Sequence, residues 1–96
     1  MATAHLNGIR IHYEVEGSGP PLLLISGLGQ NSSAWVAMLP MLRERFSCIT
    51  FDNRGTGRSE VPPGPYTIDQ MADDAAALIE HLKTGPVRAV VAAAFL

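Results

Sequence analysis

Cysteine is almost missing from this 96-residue chain: Cys48 is the single one. A disulfide framework within the chain is excluded, and a reducing compartment fits. Cys48 lies in the apolar run Phe46-Ser47-Cys48-Ile49-Thr50-Phe51. It reads as a packed strand residue rather than a nucleophile, because free cysteine usually behaves as a small buried hydrophobe. There is also no basic run. The 7 basic and 9 acidic residues leave a net charge of −2 and are spread along the chain, which points away from nucleic acid and anionic membrane as partners. No apolar stretch approaches the ~18 residues of a membrane span. Met1-Ala2-Thr3-Ala4-His5 lacks the charged-then-apolar layout of a signal peptide, so cytoplasmic residence is the expectation.

What is present is a globular composition, 47% hydrophobic, long enough for one small domain. Residues 3–16 predict a β-hairpin. Asn7-Gly8 suits a type I′ turn, whose central residues both need positive φ. Beyond it Ile9, Ile11, Tyr13 and Val15 alternate with Arg10, His12, Glu14 and Glu16, a strand with one buried and one wet face. His5 and His12 therefore read as solvated. After the loop Gly17-Ser18-Gly19-Pro20-Pro21, the unbroken run Leu22–Ile25 suits a strand buried on both faces of a parallel sheet. Ser26-Gly27-Leu28-Gly29-Gln30-Asn31 is a second glycine-rich loop.

Residues 34–45 carry Trp35, Met38, Leu39 and Leu42 at helical spacing. Pro40 should split this segment, standing near the start of its second piece. Ser47–Phe51 is the next strand. After a Gly/Pro-rich loop over 52–66, Thr67-Ile68-Asp69-Gln70 fits a capping box opening a helix over 68–82. Ile68, Met71, Ala72, Ala75, Leu78, Ile79 and Leu82 form its apolar stripe. Asp69, Asp73 and Asp74 read as a solvated, dipole-favoured face rather than a metal site, and His81 as a surface residue. Gly85-Pro86 should stop the helix. Val87–Val91 begins a last strand. Strands alternating with helices predict an α/β class with a parallel sheet and right-handed crossovers.

Two glycine loops after strands raise the question of nucleotide binding. Gly27-Leu28-Gly29-Gln30-Asn31-Ser32 and Gly55-Thr56-Gly57-Arg58-Ser59-Glu60 both lack the third glycine of G-x-G-x-x-G. The second leads into Val61-Pro62-Pro63, which cannot open a helix directly, and no G-x-x-x-x-G-K-[ST] occurs. No cofactor is expected.

Asp52-Asn53-Arg54-Gly55-Thr56-Gly57-Arg58-Ser59 resembles the D-x-R-G-x-G-x-S segment that follows the fourth strand of the α/β-hydrolase family. Leu22–Ile25 with Ser26-Gly27-Leu28-Gly29 resembles that family's third strand and oxyanion loop. Trp35 and Pro65-Tyr66-Thr67 also fall where the family has such residues, so the resemblance runs over roughly residues 5–91. It implies a partial α/β-hydrolase sheet, chain 1–96 being the N-terminal portion of one such domain. It also implies chemistry on esters, lactones and related small molecules. A nucleophile on a G-x-S-x-G elbow is followed later by an acid and a histidine, and two backbone N–H groups stabilise the oxyanion. Carried onto this chain, the resemblance makes the Leu28 backbone N–H an oxyanion donor, with Gly27 and Gly29 permitting close approach. Asp52, Arg54, Gly55, Gly57 and Ser59 become a structural loop, the charged pair holding it beside the oxyanion loop. The family often has His-Gly where this chain has Ser26-Gly27.

The chain departs from the family where the elbow belongs. Val87–Val91 runs into Ala92-Ala93-Ala94-Phe95-Leu96, and neither serine nor cysteine occurs after Ser59. Nucleophile, acid and histidine are expected beyond Ala92, and the chain alone is expected to be non-catalytic. An interaction protein that pairs with itself through an open sheet edge is the alternative expectation.

Overall fold

The computed structural model describes residues 2–26, 35–85 and 87–91. Along the chain come β1 (Ala2–Leu6), β2 (Ile9–Glu16), β3 (Pro21–Ile25), α1 (Leu39–Leu42), β4 (Ser47–Phe51), α2 (Ile68–Leu82) and β5 (Arg88–Val91). They form a sheet in the order β1-β2-β4-β3-β5. The class is α/β, as expected.

β1 and β2 pair antiparallel around Asn7 and Gly8, whose φ values of 52° and 82° are those a type I′ turn requires. β2 runs antiparallel to β4, while β3 runs parallel to both β4 and β5. Leu23 thus stands between Ile49 on one side and Ala89 on the other. Parallel strands need crossovers, and here the β3–β4 and β4–β5 connections step to opposite sides of β3. With one hand for both, they must cover opposite faces of the sheet.

On one face Ala4, Leu6, Ile9, Ile11, Leu23, Ile49 and Phe51 pack with Ala75 and Leu78 of α2. On the other, Leu22, Leu24 and Cys48 pack with Trp35, edged by Leu39, Leu42 and Phe46. Pro40 stands in the first turn of α1, and Trp35 lies in a separate turn before it whose carbonyl accepts the Met38 N–H at 3.0 Å. The proline thus divides the segment as expected, because its ring blocks a continuous helix.

α2 opens on the capping box. Thr67 Oγ1 accepts the Gln70 N–H, and Gln70 Oε1 accepts the Thr67 N–H, each at 3.0 Å. Its end differs from expectation. Lys83 takes the left-handed conformation, φ 55°, and its N–H reaches the carbonyls of Ile79 and Glu80. A lysine serves here because two orphan carbonyls share its N–H, offsetting the ~1 kcal/mol cost of that conformation. Gly85 stands two residues further on, and Pro86 lies outside the described residues. No helix among the described residues is long and apolar enough to cross a membrane.

The stripe of α2 also differs. Ile68 is 68% exposed and Ala72 is exposed, whereas Asp74 is buried at 1%. On β2, Val15 is half exposed and His12 is buried at 4%. Val15 lines an open cleft with Ile49, Leu82 and Thr84. His12 is enclosed because the loop after β4 folds back across β2.

Candidate functional site

Parallel strands align their carboxyl ends. Here Ser26 follows β3 and Asp52-Asn53 follows β4 on the same rim of the sheet. All three are buried, at 1% for Ser26, 3% for Asp52 and 1% for Asn53. Buried polar groups need partners, and these make a connected set. Asn53 Nδ2 donates to the Ser26 carbonyl at 2.9 Å. Asp52 Oδ2 accepts the Arg58 N–H at 3.0 Å, closing the loop on itself. The Ser59 hydroxyl donates to the Asp52 carbonyl and accepts the His12 N–H at 2.9 Å. The Asp52 N–H reaches the His12 carbonyl at 3.0 Å, and the Glu60 N–H reaches that of Arg10 at 2.8 Å. Residues 52–60 are thereby stitched along β2. Among the described residues, Asn53 Oδ1 and Trp35 Nε1 have no hydrogen-bond partner.

Two glycines set the shape of this loop. Gly57 has φ 52°, and a Cβ there would overlap the Asp52 carboxylate; Gly55 has φ 79°, and a Cβ would run into the Tyr66 ring. Both positions need the absent side chain for two reasons at once, backbone conformation and space. The Tyr66 hydroxyl in turn donates to the Pro62 carbonyl.

Arg54 turns to α2 and makes a two-pronged contact with Asp74, Nε to Oδ2 at 2.7 Å and Nη2 to Oδ1 at 2.9 Å. Asp74 Oδ1 also accepts Asn7 Nδ2 at 3.0 Å. The side chains of Arg54 and Asp74 are 10% and 1% exposed. The hydrogen bonds from Arg54 to Asp74 push the guanidinium pKa above its ordinary value, against the opposing effect of burial. This corrects one expectation: Asp74 is not part of a solvated face but the buried carboxylate partner of Arg54. The loop is anchored to the hairpin turn and α2 through one buried carboxylate. The signal was present in the spacing: positions 71, 74, 75 and 78 follow the i, i+3, i+4, i+7 rule, which puts Asp74 on the buried stripe.

His12 also reverses its solvated reading. It lines a cleft of about 510 Å³ with Glu14, Arg43, Thr50, Asp52 and Arg58 among the other walls. His12 Nε2 stands 3.6 Å from Glu14 Oε1, and Arg58 lies 4.0 Å from the same oxygen. His5 is exposed, as expected. Cys48 is buried, with its thiol pushed up first by burial and then by Glu16, so it is poorly suited to nucleophilic attack at neutral pH. No His/Cys/Asp/Glu group among the described residues could hold a metal ion. Gly27, Leu28 and Gly29, and the elbow position from Ala92 onward, lie outside the described residues. Asn53, which fills the variable place of D-x-R-G, carried no signal in the sequence.

A family model described as the alpha/beta hydrolase fold matches residues 20–92. The soluble epoxide hydrolase of Corynebacterium sp. strain C12 is 42% identical, the match covering 82% of this chain and 28% of that protein. The 3-oxoadipate enol-lactonase 2 of Acinetobacter baylyi is 35% identical over 78% of this chain and 29% of its own length. The crystal structure of the enol-lactonase from Burkholderia xenovorans LB400 superposes with a TM-score of 0.88 at 33% identity, covering 94% of this chain and 36% of that one. The chain spans about a third of the length of the relatives it matches.

Proposed function

The chain belongs to the α/β-hydrolase fold family, and from that premise we propose that its 96 residues are the scaffold portion of a serine hydrolase acting on ester- or lactone-type bonds. One observation carries the reading: the D-N-R-G-T-G-R-S loop is locked at the carboxyl ends of two parallel strands, with a buried amide reaching the end of β3. Relatives named as an enol-lactonase and an epoxide hydrolase support opening of a strained or activated C–O bond.

In this proposal the Leu28 backbone N–H, two residues past Ser26, faces the oxygen on which negative charge develops. A donor already aimed there stabilises the transition state more than the ground state, and one such donor is worth on the order of 3 kcal/mol. Asp52, Arg54, Gly55, Gly57 and Ser59 serve by holding the rim rigid. Nucleophile, acid and histidine are not supplied by these 96 residues, so they alone turn over no substrate through a triad. Genomic DNA read past codon 96 in all three frames tests this: G-x-S-x-G within a few codons of Ala92 is expected, and its absence counts against the hydrolase. Labelling of the purified 96-residue chain by a fluorophosphonate probe would refute its inactivity.

A second reading draws on the sheet order, in which β5 pairs only with β3 among the described residues. A strand at that place can pair with another copy of the chain. Light scattering showing a discrete, folded oligomer favours this reading, and a monomer removes it.

A further inference from the structure

We infer that Asn53 is a positioning residue, a side-chain cross-link that continues the β3–β4 pairing past its last backbone rung and sets where the end of β3 stands. The parallel ladder runs from Pro21↔Ser47 to Leu24↔Thr50. Two residues beyond its last pair on β3, the Ser26 carbonyl receives the Asn53 amide instead. Both residues are buried at 1%, so water does not compete for that bond. Asn53 cannot drift to follow Ser26, because its neighbours are held independently. Asp52 accepts the Arg58 N–H on one side, and Arg54 is bolted to Asp74 on the other. The position of Ser26 is therefore referred through Asn53 to α2.

The amide is a costly way to fill this space. Its Oδ1 is buried and has no hydrogen-bond partner among the described residues, and a leucine of similar shape would remove that acceptor. Packing alone thus favours an apolar residue here, while the donor Nδ2 serves the end of β3. The catalytic consequence, a fixed start for the oxyanion loop, rests on the hydrolase proposal; the tether itself does not.

Nuclear magnetic resonance of the full 96-residue chain tests it. In the wild type, a scalar coupling across the hydrogen bond should link Asn53 Nδ2 to the Ser26 carbonyl carbon. Asn53→Leu and Asn53→Asp should each shift the Ile25 and Ser26 resonances and quicken amide exchange there about tenfold. In Asn53→Leu the unfolding midpoint should move by less than about 4 °C. Asn7→Ala is the structural control, since it removes one bond to Asp74; it should lower the midpoint and leave Ser26 where it is. An absent coupling, an undispersed wild-type spectrum, unmoved Ser26 resonances, or shifts spread evenly through the sheet would overturn the inference. If downstream DNA lacks the elbow while the coupling is present, the hydrolase proposal falls and the tether stands.

Discussion

The two faces of this sheet are built to different standards. Under α2, nine buried apolar residues among those described, from four strands and the helix, make one continuous core. On the opposite face, among the described residues, Leu22, Leu24, Trp35 and Cys48 are buried together, and beside them lie buried His12, Thr50 and Asp52 and a cleft lined in part by charged side chains. Alternation along the strands produces both faces from the same residues in turn. The helix-covered face is fitted for stability, because its apolar residues pack into one cluster with one another. The other face gives up apolar contact to house the hydrogen bonds that shape the rim, and each bond there contributes about 1 kcal/mol where an unpaired partner would lose more.

Adjacent residues on β3 offer the most direct way to break this contrast. Leu23 faces α2 and Leu24 faces away, with exposures of 1% and 0%. Leu23→Ala should cost about 4 kcal/mol in urea unfolding, because the continuous core around it has little room to close on the cavity. Asp74→Ala comes next, at about 3 kcal/mol, since it leaves the Arg54 guanidinium nearly buried with no carboxylate. Combining it with Arg54→Met should recover much of that loss, because the charge that lacked a partner is gone. Recovery of nothing would mean that the loop depends on Arg54 in some way other than its ion pair. Leu24→Ala should cost about 2 kcal/mol, the half-buried Leu39, Leu42 and Phe46 being free to move in. Equal losses at Leu23 and Leu24 would erase the difference between the faces. The smallest effect belongs to Val15→Thr. This residue points to the α2 side yet is 50% exposed, so its replacement should change stability by less than about 0.5 kcal/mol. A larger loss would show that the helix-covered core extends further along β2 than the packing indicates.

Much of the architecture was legible because it is written in local terms. The Asn7-Gly8 turn, the Thr67/Gln70 cap, the Ser47–Phe51 strand and the Pro40 division each depend on residues within a few positions of one another. The motif loop was legible by resemblance, whereas the crowding of Gly55 by Tyr66 and of Gly57 by Asp52 was not. What escaped was long-range. His12 and Glu14 alternate identically with their apolar neighbours, yet only His12 lies under the 52–60 loop, 47 residues away through the Ser59 bond. Spacing puts Asp74 and not Asp73 on the buried stripe, but its partners Arg54 and Asn7 come from 20 and 67 residues away.

By itself the sequence determined which segments are strands and helices, their order, and the family to which that order and the D-x-R-G-x-G-x-S loop belong. These follow from backbone preference, side-chain periodicity and turn chemistry, all of which act over short stretches of chain. Tertiary structure alone decided which polar residues are buried and whom they meet: Arg54 with Asp74, Ser59 with His12, Asn53 with Ser26. A buried polar group is stable only beside a partner, and partners 20 to 47 residues apart come together only once the sheet has set its register.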